Sequence, residues 1–171
     1  LVRYGAYFDP AGKGGVANLL SHMFLKAAID KTAKDIQDEL AYLEAGIDVR
    51  CDWDGFRFIL RGPSATFERS LLLLYQVVGE AQFSDADFAA VKQSVLADMQ
   101  KSSDPRQRIH AQFENVLFSG TSHGRPLEGT PKSLAAITVG DIRYFYHKFL
   151  SPNQASLIVV GGHAGLDTFI A

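Results

Sequence analysis

The 171 residues are 47% hydrophobic and 21% charged, with a formal net charge of -2 and a pI near 6.2. That balance suits one domain with a sizeable core and argues against nucleic acid or an anionic membrane as an obligate partner, because both attract a basic surface. No apolar run approaches the roughly 20 residues needed to cross a bilayer and no charged-then-apolar leader opens the chain, so the expectation is a soluble protein whose compartment, periplasmic or cytoplasmic in a bacterium, is left open.

Leu1 to Phe8 alternates at period two and predicts a strand, closed by the turn residues Asp9-Pro10 and Gly12-Lys13-Gly14-Gly15. Apolar residues at 16, 19, 20, 23 and 27 then predict a helix to about Ile29. Asn18, Ser21 and His22, spaced i, i+3 and i+4, fall together on its other face, which the pattern alone leaves to solvent. Two histidines and a carboxylate at such spacing would be the scaffold of a helical zinc site. Here only one of the three positions carries a suitable group.

Thr32 with Asp35 predicts a capped helix with the stripe Ile36, Leu40 and Leu43. The period then changes to two. Ile47 to Trp53 and Phe56 to Leu60 flank Asp54-Gly55, the strongest short hairpin signal, and Cys51, the single cysteine, is expected buried in the first of these strands. One cysteine excludes an internal disulfide and a cysteine zinc cluster.

A helix from Thr66 to about Gln82 should turn Phe67, Leu71, Leu74, Tyr75 and Val78 to the core, and Ser84 with Asp87 caps the next. In that helix Phe88, Val91, Val95 and Met99 form the stripe, with Asp98 at its edge. Asp104-Pro105 opens a helix through Ile109, Phe113 and Leu117, and Ser119 to Thr130 reads as a loop. Pro131 starts a helical turn, and Thr138 with Asp141 caps a helix carrying Ile142, Phe145 and Phe149. Ala155 to Val160, β-branched and apolar, predicts a buried strand. Four strands among about seven helical segments, without regular alternation, give an α+β fold with a mixed or antiparallel sheet packed against helices. A single domain spanning 1-171 is expected. The alternating opening without Met and the helix-like close at residues 166–171 give the expectation of a piece of a longer polypeptide.

Taken together, these landmarks resemble one domain of the pitrilysin/insulinase peptidase family, which includes the mitochondrial processing peptidases. The family opens with a strand, an Asp-Pro-x-Gly-Lys-x-Gly turn and then Ala-His-Leu-Leu-Glu-His-Met; here the stretch reads Asp9-Pro10-Ala11-Gly12-Lys13-Gly14-Gly15-Val16-Ala17-Asn18-Leu19-Leu20-Ser21-His22-Met23. Phe88 to Met99 matches the helix that supplies a distal acidic ligand, and Gly129 to Leu134 through Val159-Val160-Gly161 resembles the closing segment.

The resemblance implies zinc in active family members, held by an inverted H-x-x-E-H and a distal glutamate. Carried over, the first histidine is Asn18, the catalytic glutamate is Ser21, the second histidine is His22 and the distal glutamate is Asp98. No catalytic residue and no resident cofactor are therefore expected, with His22 and Asp98 as residual ligand-like groups. A neutral serine hydroxyl is not a base near neutral pH, and an amide oxygen is a poor zinc ligand beside imidazole. The family binds extended peptide beside the strand after its second helix, which here places Asp48, Val49 and Arg50 as the peptide-contact strand, with Asp48-Val49 where the family commonly has Asn-Ala. Family members work as two halves, so the implied partners are a second peptidase-like domain or subunit and a peptide. The resulting expectation is a non-catalytic half, with a rearranged active metallopeptidase and a purely architectural subunit as alternatives. The remaining histidines, His110, His123, His147 and His163, lack ligand spacing, and Gly12 to Gly15 lacks the Lys-Ser/Thr of a phosphate loop.

Overall fold

The computed structural model of the protein describes residues 1–101 and 105–162. Seven helices are present among them: α1 (Val16–Met23), α2 (Ala33–Tyr42), α3 (Phe67–Gly79), α4 (Asp85–Lys101), α5 (Pro105–Leu117), α6 (Pro131–Ala136) and α7 (Val139–Phe149). Four strands form two antiparallel hairpins, β1 (Ala27–Ala28) with β2 (Lys31–Thr32) and β3 (Gly46–Cys51) with β4 (Phe56–Arg61). The expected α+β class holds, with the helices gathered on a small antiparallel sheet.

Local chemistry accounts for most of the boundaries. Complete capping boxes start α2 at Thr32/Asp35, α6 at Thr130/Ser133 and α7 at Thr138/Asp141, each satisfying amides that the first helical turn leaves unpaired. Ser84 accepts from the Asp87 amide at 3.0 Å at the start of α4. The β3–β4 register runs from Gly46↔Arg61 to Cys51↔Phe56. Its connection is four residues long rather than the expected two, because the Asp52 carboxylate takes the amides of Asp54 (3.0 Å) and Gly55 (2.8 Å) and closes the turn itself. Trp53 is therefore in the turn and not in the strand.

Helix α1 lies at the centre, packed against β3, α4 and α7. Every residue from Val16 to Met23 except His22 is buried. Just beyond it, Phe24 is fully buried and meets Phe56, Phe58, Phe83 and Tyr146, with ring centroids 4.9 to 6.2 Å away. Ile36, Leu43, Leu73, Leu134, Ile142 and Phe145 complete the core.

Several expectations need correction. Leu1 to Phe8 is not a strand: only Val2 bridges Phe56 and Ala155, and Ala6–Phe8 is a 3-10 turn. The chain leaves the ladder at Gly5, where a Cβ would lie 2.2 Å from the Asp52 carbonyl oxygen, and Ala6 and Tyr7 then donate to the carbonyls of Asp52 and Trp53. The first helix stops at Met23, not Ile29, because Ala27–Thr32 folds back as the β1–β2 hairpin with Asp30 at φ 58°. No glycine announced that turn. In α3 the buried set is Ser70, Leu73 and Val77; Leu71, Leu74 and Val78 are half-buried and Tyr75 is 61% exposed. A helix apolar on nearly all sides gives its periodicity no single face to select. Residues 155–160 are not a buried strand, since Leu157, Ile158 and Val160 are exposed. Cys51 does lie in β3 but is half-buried. The Asp104 cap and the helix-like close at 166–171 lie outside the described residues, as do the side chains of His110 and His163.

Phe24→Ala should cost about 3–5 kcal/mol, the usual loss for truncating a fully buried aromatic side chain, and Phe24→Leu clearly less; chemical denaturation of the two variants measures the difference.

Candidate functional site

A central helix buried on nearly every side must have its amino-terminal amides satisfied by protein. Asp9, 7% exposed, does this from across the turn 10–14. Its carboxylate accepts from the Gly15 amide at 2.6 Å and the Ala17 amide at 2.9 Å. Gly15 takes φ 101°, and a Cβ there would lie 2.7 Å from the Glu128 carbonyl oxygen, so glycine is required on both counts. The same turn is tied outward. Lys13 pairs with Asp141 of α7 at 2.7 Å, and Ser133 of α6 donates to the Gly14 carbonyl at 2.7 Å. Arg125 donates to the Asp9 carbonyl at 3.4 Å and to the Ser122 hydroxyl at 2.8 Å.

Burial pushes the Asp9 carboxyl up to about 6, against the opposing pull of the Ala17 and Gly15 amides and of Arg125. Burial, with Asp9 and Asp52 nearby, pushes the Cys51 thiol up to about 12, so it is not a thiolate nucleophile near neutral pH. At Asp141 burial acts upward, but hydrogen bonds from Lys13 and Thr138 outweigh it and hold the carboxyl below the usual range.

Held in this way, α1 forms one wall of a cleft of about 450 Å³ whose other wall is α4. Asn18, His22 and Lys26 line it from the α1 side, Val91, Ser94, Val95, Asp98 and Met99 from α4, and Glu128 from the loop before α6. The structure thus brings together three of the residues singled out in the sequence, Asn18, His22 and Asp98. Ser21 is excluded. It does not line the cleft; it is 7% exposed, and its hydroxyl donates to the Asn18 carbonyl at 2.7 Å within the helix. Asn18 too is buried, at 8% exposure, so the face expected to meet solvent is open only at His22.

The ring of His22 has solvent access, yet surrounding protein desolvates it, and together with the Lys26 ammonium this lowers its pKa from the ordinary histidine range; Asp98 and Glu128 pull the other way. Neutral imidazole is the favoured form near neutral pH. His22, Asp98 and Glu128 share the cleft, but among the described residues no three His, Cys, Asp or Glu side chains converge closely enough to hold a metal ion. The position matched to the catalytic base holds a hydroxyl already engaged with the backbone.

Asp48, Val49 and Arg50 lie in β3 and do not line the cleft. Asp48 pairs with Arg50 along the strand at 2.8 Å, and among the described residues the β3 ladder is made to β4 alone. One edge of β3 is consequently open. His123 stacks near Trp53 (6.2 Å) and beside Tyr7 (5.5 Å), away from His22 and Asp98 in the cleft lining. Asp9, Lys26 and Glu128 were not singled out in the sequence as members of the site. Lys26, four residues after His22, could have been found from helical spacing; Asp9 and Glu128 are brought in by the turn and the loop and carry no local signal.

An α+β domain with a central helix and a cleft between it and a distal acidic helix is a peptidase-like arrangement. Residues 1–131 match the model of the Insulinase (Peptidase family M16) family, and the chain belongs to it. An uncharacterized zinc protease of Rickettsia bellii is 22% identical over 162 residues, covering 94% of this chain and 39% of that protein. The zinc protease PqqE of Helicobacter pylori is 23% identical over 165 residues, 94% of this chain and 37% of that protein. Among solved structures, a protease from Helicobacter pylori superposes with a TM-score of 0.83 at 18% identity, over 90% of this chain and 38% of that one. An inactive M16 peptidase domain from Pseudomonas fluorescens gives 0.77 at 22% identity, over 84% of this chain and 35% of that one. The chain thus spans less than two fifths of these relatives. Among the described residues, no helix is long and apolar enough to cross a membrane.

The Asp9 carboxyl binds its proton more tightly folded (about 6) than unfolded (3.8), so its contribution to stability is present below pH 4 and lost as pH rises through 6. Relative to Asp9→Asn, wild-type stability should fall by roughly 2 kcal/mol between pH 4 and 7, measured by denaturant titration of both proteins across that range; a rising difference would contradict the assignment.

Proposed function

We propose that this chain is a non-catalytic peptidase-like domain of the M16 family that pairs with a zinc-bearing domain or subunit and helps to enclose that partner's peptide substrate. The observation that carries the reading is Ser21: buried, bonded to the Asn18 carbonyl and turned out of the cleft. Zinc peptidases need three protein ligands, an open position for water and a carboxylate to take the water's proton. His22 and Asp98 are two ligand-like groups in a cleft that also contains the Lys26 ammonium, and neither Asn18 nor Ser21 replaces what is missing. Similarity in fold to an inactive M16 domain supports the reading, as does the greater length of the relatives. Zinc would be the partner's; none is assigned to this chain. Domain extent is proposed likewise as a single peptidase-like unit over residues 1–171.

The open edge of β3, with Asp48, Val49 and Arg50, is where an extended peptide would add by backbone hydrogen bonding. A rearranged metallopeptidase is the second reading, and Glu128 beside His22 and Asp98 is the observation in its favour.

The purified chain should carry well below one equivalent of zinc by elemental analysis and should not hydrolyse unstructured peptides, whereas stoichiometric, tightly held zinc with hydrolysis would overturn the proposal and His22→Ala would then have to abolish the activity. A fluorescent unstructured peptide titrated into the chain should bind weakly but measurably; a complete lack of binding would favour an architectural subunit.

A further inference from the structure

Asn18 carries an unused hydrogen-bonding group. It is 8% exposed and lines the cleft between α1 and α4, yet among the described residues its side-chain amide has no hydrogen-bond partner; the Ser21 hydroxyl bonds to its backbone carbonyl, not to the side chain. An amide offers two donor hydrogens and an acceptor oxygen, and a buried one left unpaired costs free energy unless something in the space before it supplies partners.

The charges around that space are of opposite sign. Asn18, His22 and Lys26 follow one another at four-residue steps along one side of the cleft, Ser94 and Asp98 face them from α4, and Glu128 enters from the loop before α6. Lys26, Asp98 and Glu128 all act electrostatically on the His22 ring, so the ammonium and the two carboxylates gather about one point. Among the described residues neither Lys26 nor Glu128 makes an ion pair or a side-chain hydrogen bond. Opposite charges thus share one cleft without closing on each other. Val91, Val95 and Met99 add an apolar wall. The volume, about 450 Å³, lies within the roughly 300–1,000 Å³ of small-molecule sites.

These groups select among ligand classes. A bare anion would meet two carboxylates and a bare cation would meet the ammonium, each a like-charge contact. A small zwitterion meets opposite charge at both ends, and an asparagine amide, which donates and accepts, matches a carboxylate and an ammonium carried on neighbouring atoms. We propose that the cleft binds a free α-amino acid with an apolar side chain: its ammonium on Asp98 and Glu128, its carboxylate on Lys26, both ends on the Asn18 amide, and its side chain against Val91, Val95 and Met99. The inference rests on the reading of this cleft as non-catalytic, since a metal on His22 and Asp98 would fill the same space.

Calorimetric titration of the full natural polypeptide containing this sequence tests it, with L-leucine, leucine amide, N-acetyl-leucine and the tripeptide Leu-Gly-Gly as probes. L-Leucine should bind saturably, and leucine amide and N-acetyl-leucine, which each lack one charge, about 10-fold or more weakly, the loss expected for one charged hydrogen bond. Asn18→Leu, Lys26→Gln and Glu128→Gln should each weaken L-leucine by a similar factor, and Lys26→Gln should leave the residual binding of leucine amide unchanged. No L-leucine binding, or binding indifferent to the exposed-site variants Lys26→Gln and Glu128→Gln, would overturn the inference and leave Asn18 to water. Tighter binding of Leu-Gly-Gly than of L-leucine would overturn it in favour of a peptide amino-terminus. Elemental analysis of the wild type and His22→Ala separates the two levels: loss of a full equivalent of zinc on substitution overturns the non-catalytic reading and the inference with it, whereas unchanged zinc without L-leucine binding overturns the inference alone.

Discussion

The carboxylate of Asp9 at the amino-terminus of α1 is the contact on which the rest of the structure depends. A helix buried on nearly every side has no water for its first amides, and leaving them unpaired would cost more than a surface helix ever risks. Asp9 meets two of them, and the turn it closes is bonded in its own right to α6 through Ser133 and to α7 through Lys13 and Asp141. One short segment therefore fixes the height and tilt of α1 relative to half of the fold. It also fixes the cleft, since Gly15 sits against the Glu128 backbone and Glu128 closes the end of the groove between α1 and α4. The interaction is bought at a desolvation cost large enough to lift the carboxyl to about 6.

Inside that frame, shape and chemistry have separated. The cleft has the walls of a metallopeptidase site: a central helix presenting His22 and a distal helix presenting Asp98. Its electrostatics are of another kind. Lys26 faces the same space, the imidazole is desolvated toward its neutral form, and the Ser21 hydroxyl, at the position matched to a base, is occupied with its own helix. On the proposed reading, such a cleft offers contour and hydrogen bonds to a peptide rather than a catalytic base. Similarity to zinc proteases and similarity to an inactive domain are compatible for this reason, because both follow from the walls.

Where the sequence was informative, the information was local. Thr32/Asp35, Thr138/Asp141 and Ser84/Asp87 each announce a helix start because the side chain that caps and the amide that is capped are three residues apart. Cys51 and Phe56 are legible as a hairpin for the same reason, although Asp52, by taking two amides, lengthens the turn beyond what Asp54-Gly55 implies. The errors came from partners distant in sequence. Leu1 to Phe8 alternates like a strand, but Asp52 and Trp53 draw Ala6 and Tyr7 out of the ladder. Asn18 and Ser21 look solvent-facing on helical spacing, yet the fold buries both. Phe67 to Val78 is too uniformly apolar for periodicity to choose between core and surface. In the site, His22 and Asp98 were recoverable from family spacing, whereas Asp9 reads as an ordinary turn residue until the helix it caps is seen to be buried.

Gly15 has a wider consequence. Its left-handed backbone and its closeness to the Glu128 carbonyl exclude any side chain, and neither constraint concerns proteolysis. The constraint on this glycine, and on Asp9 before it, comes from folding and is independent of whether the cleft carries a catalytic carboxylate. Asn18, Ser21 and His22 lie three, six and seven residues beyond Gly15, on the helix that the turn holds in place.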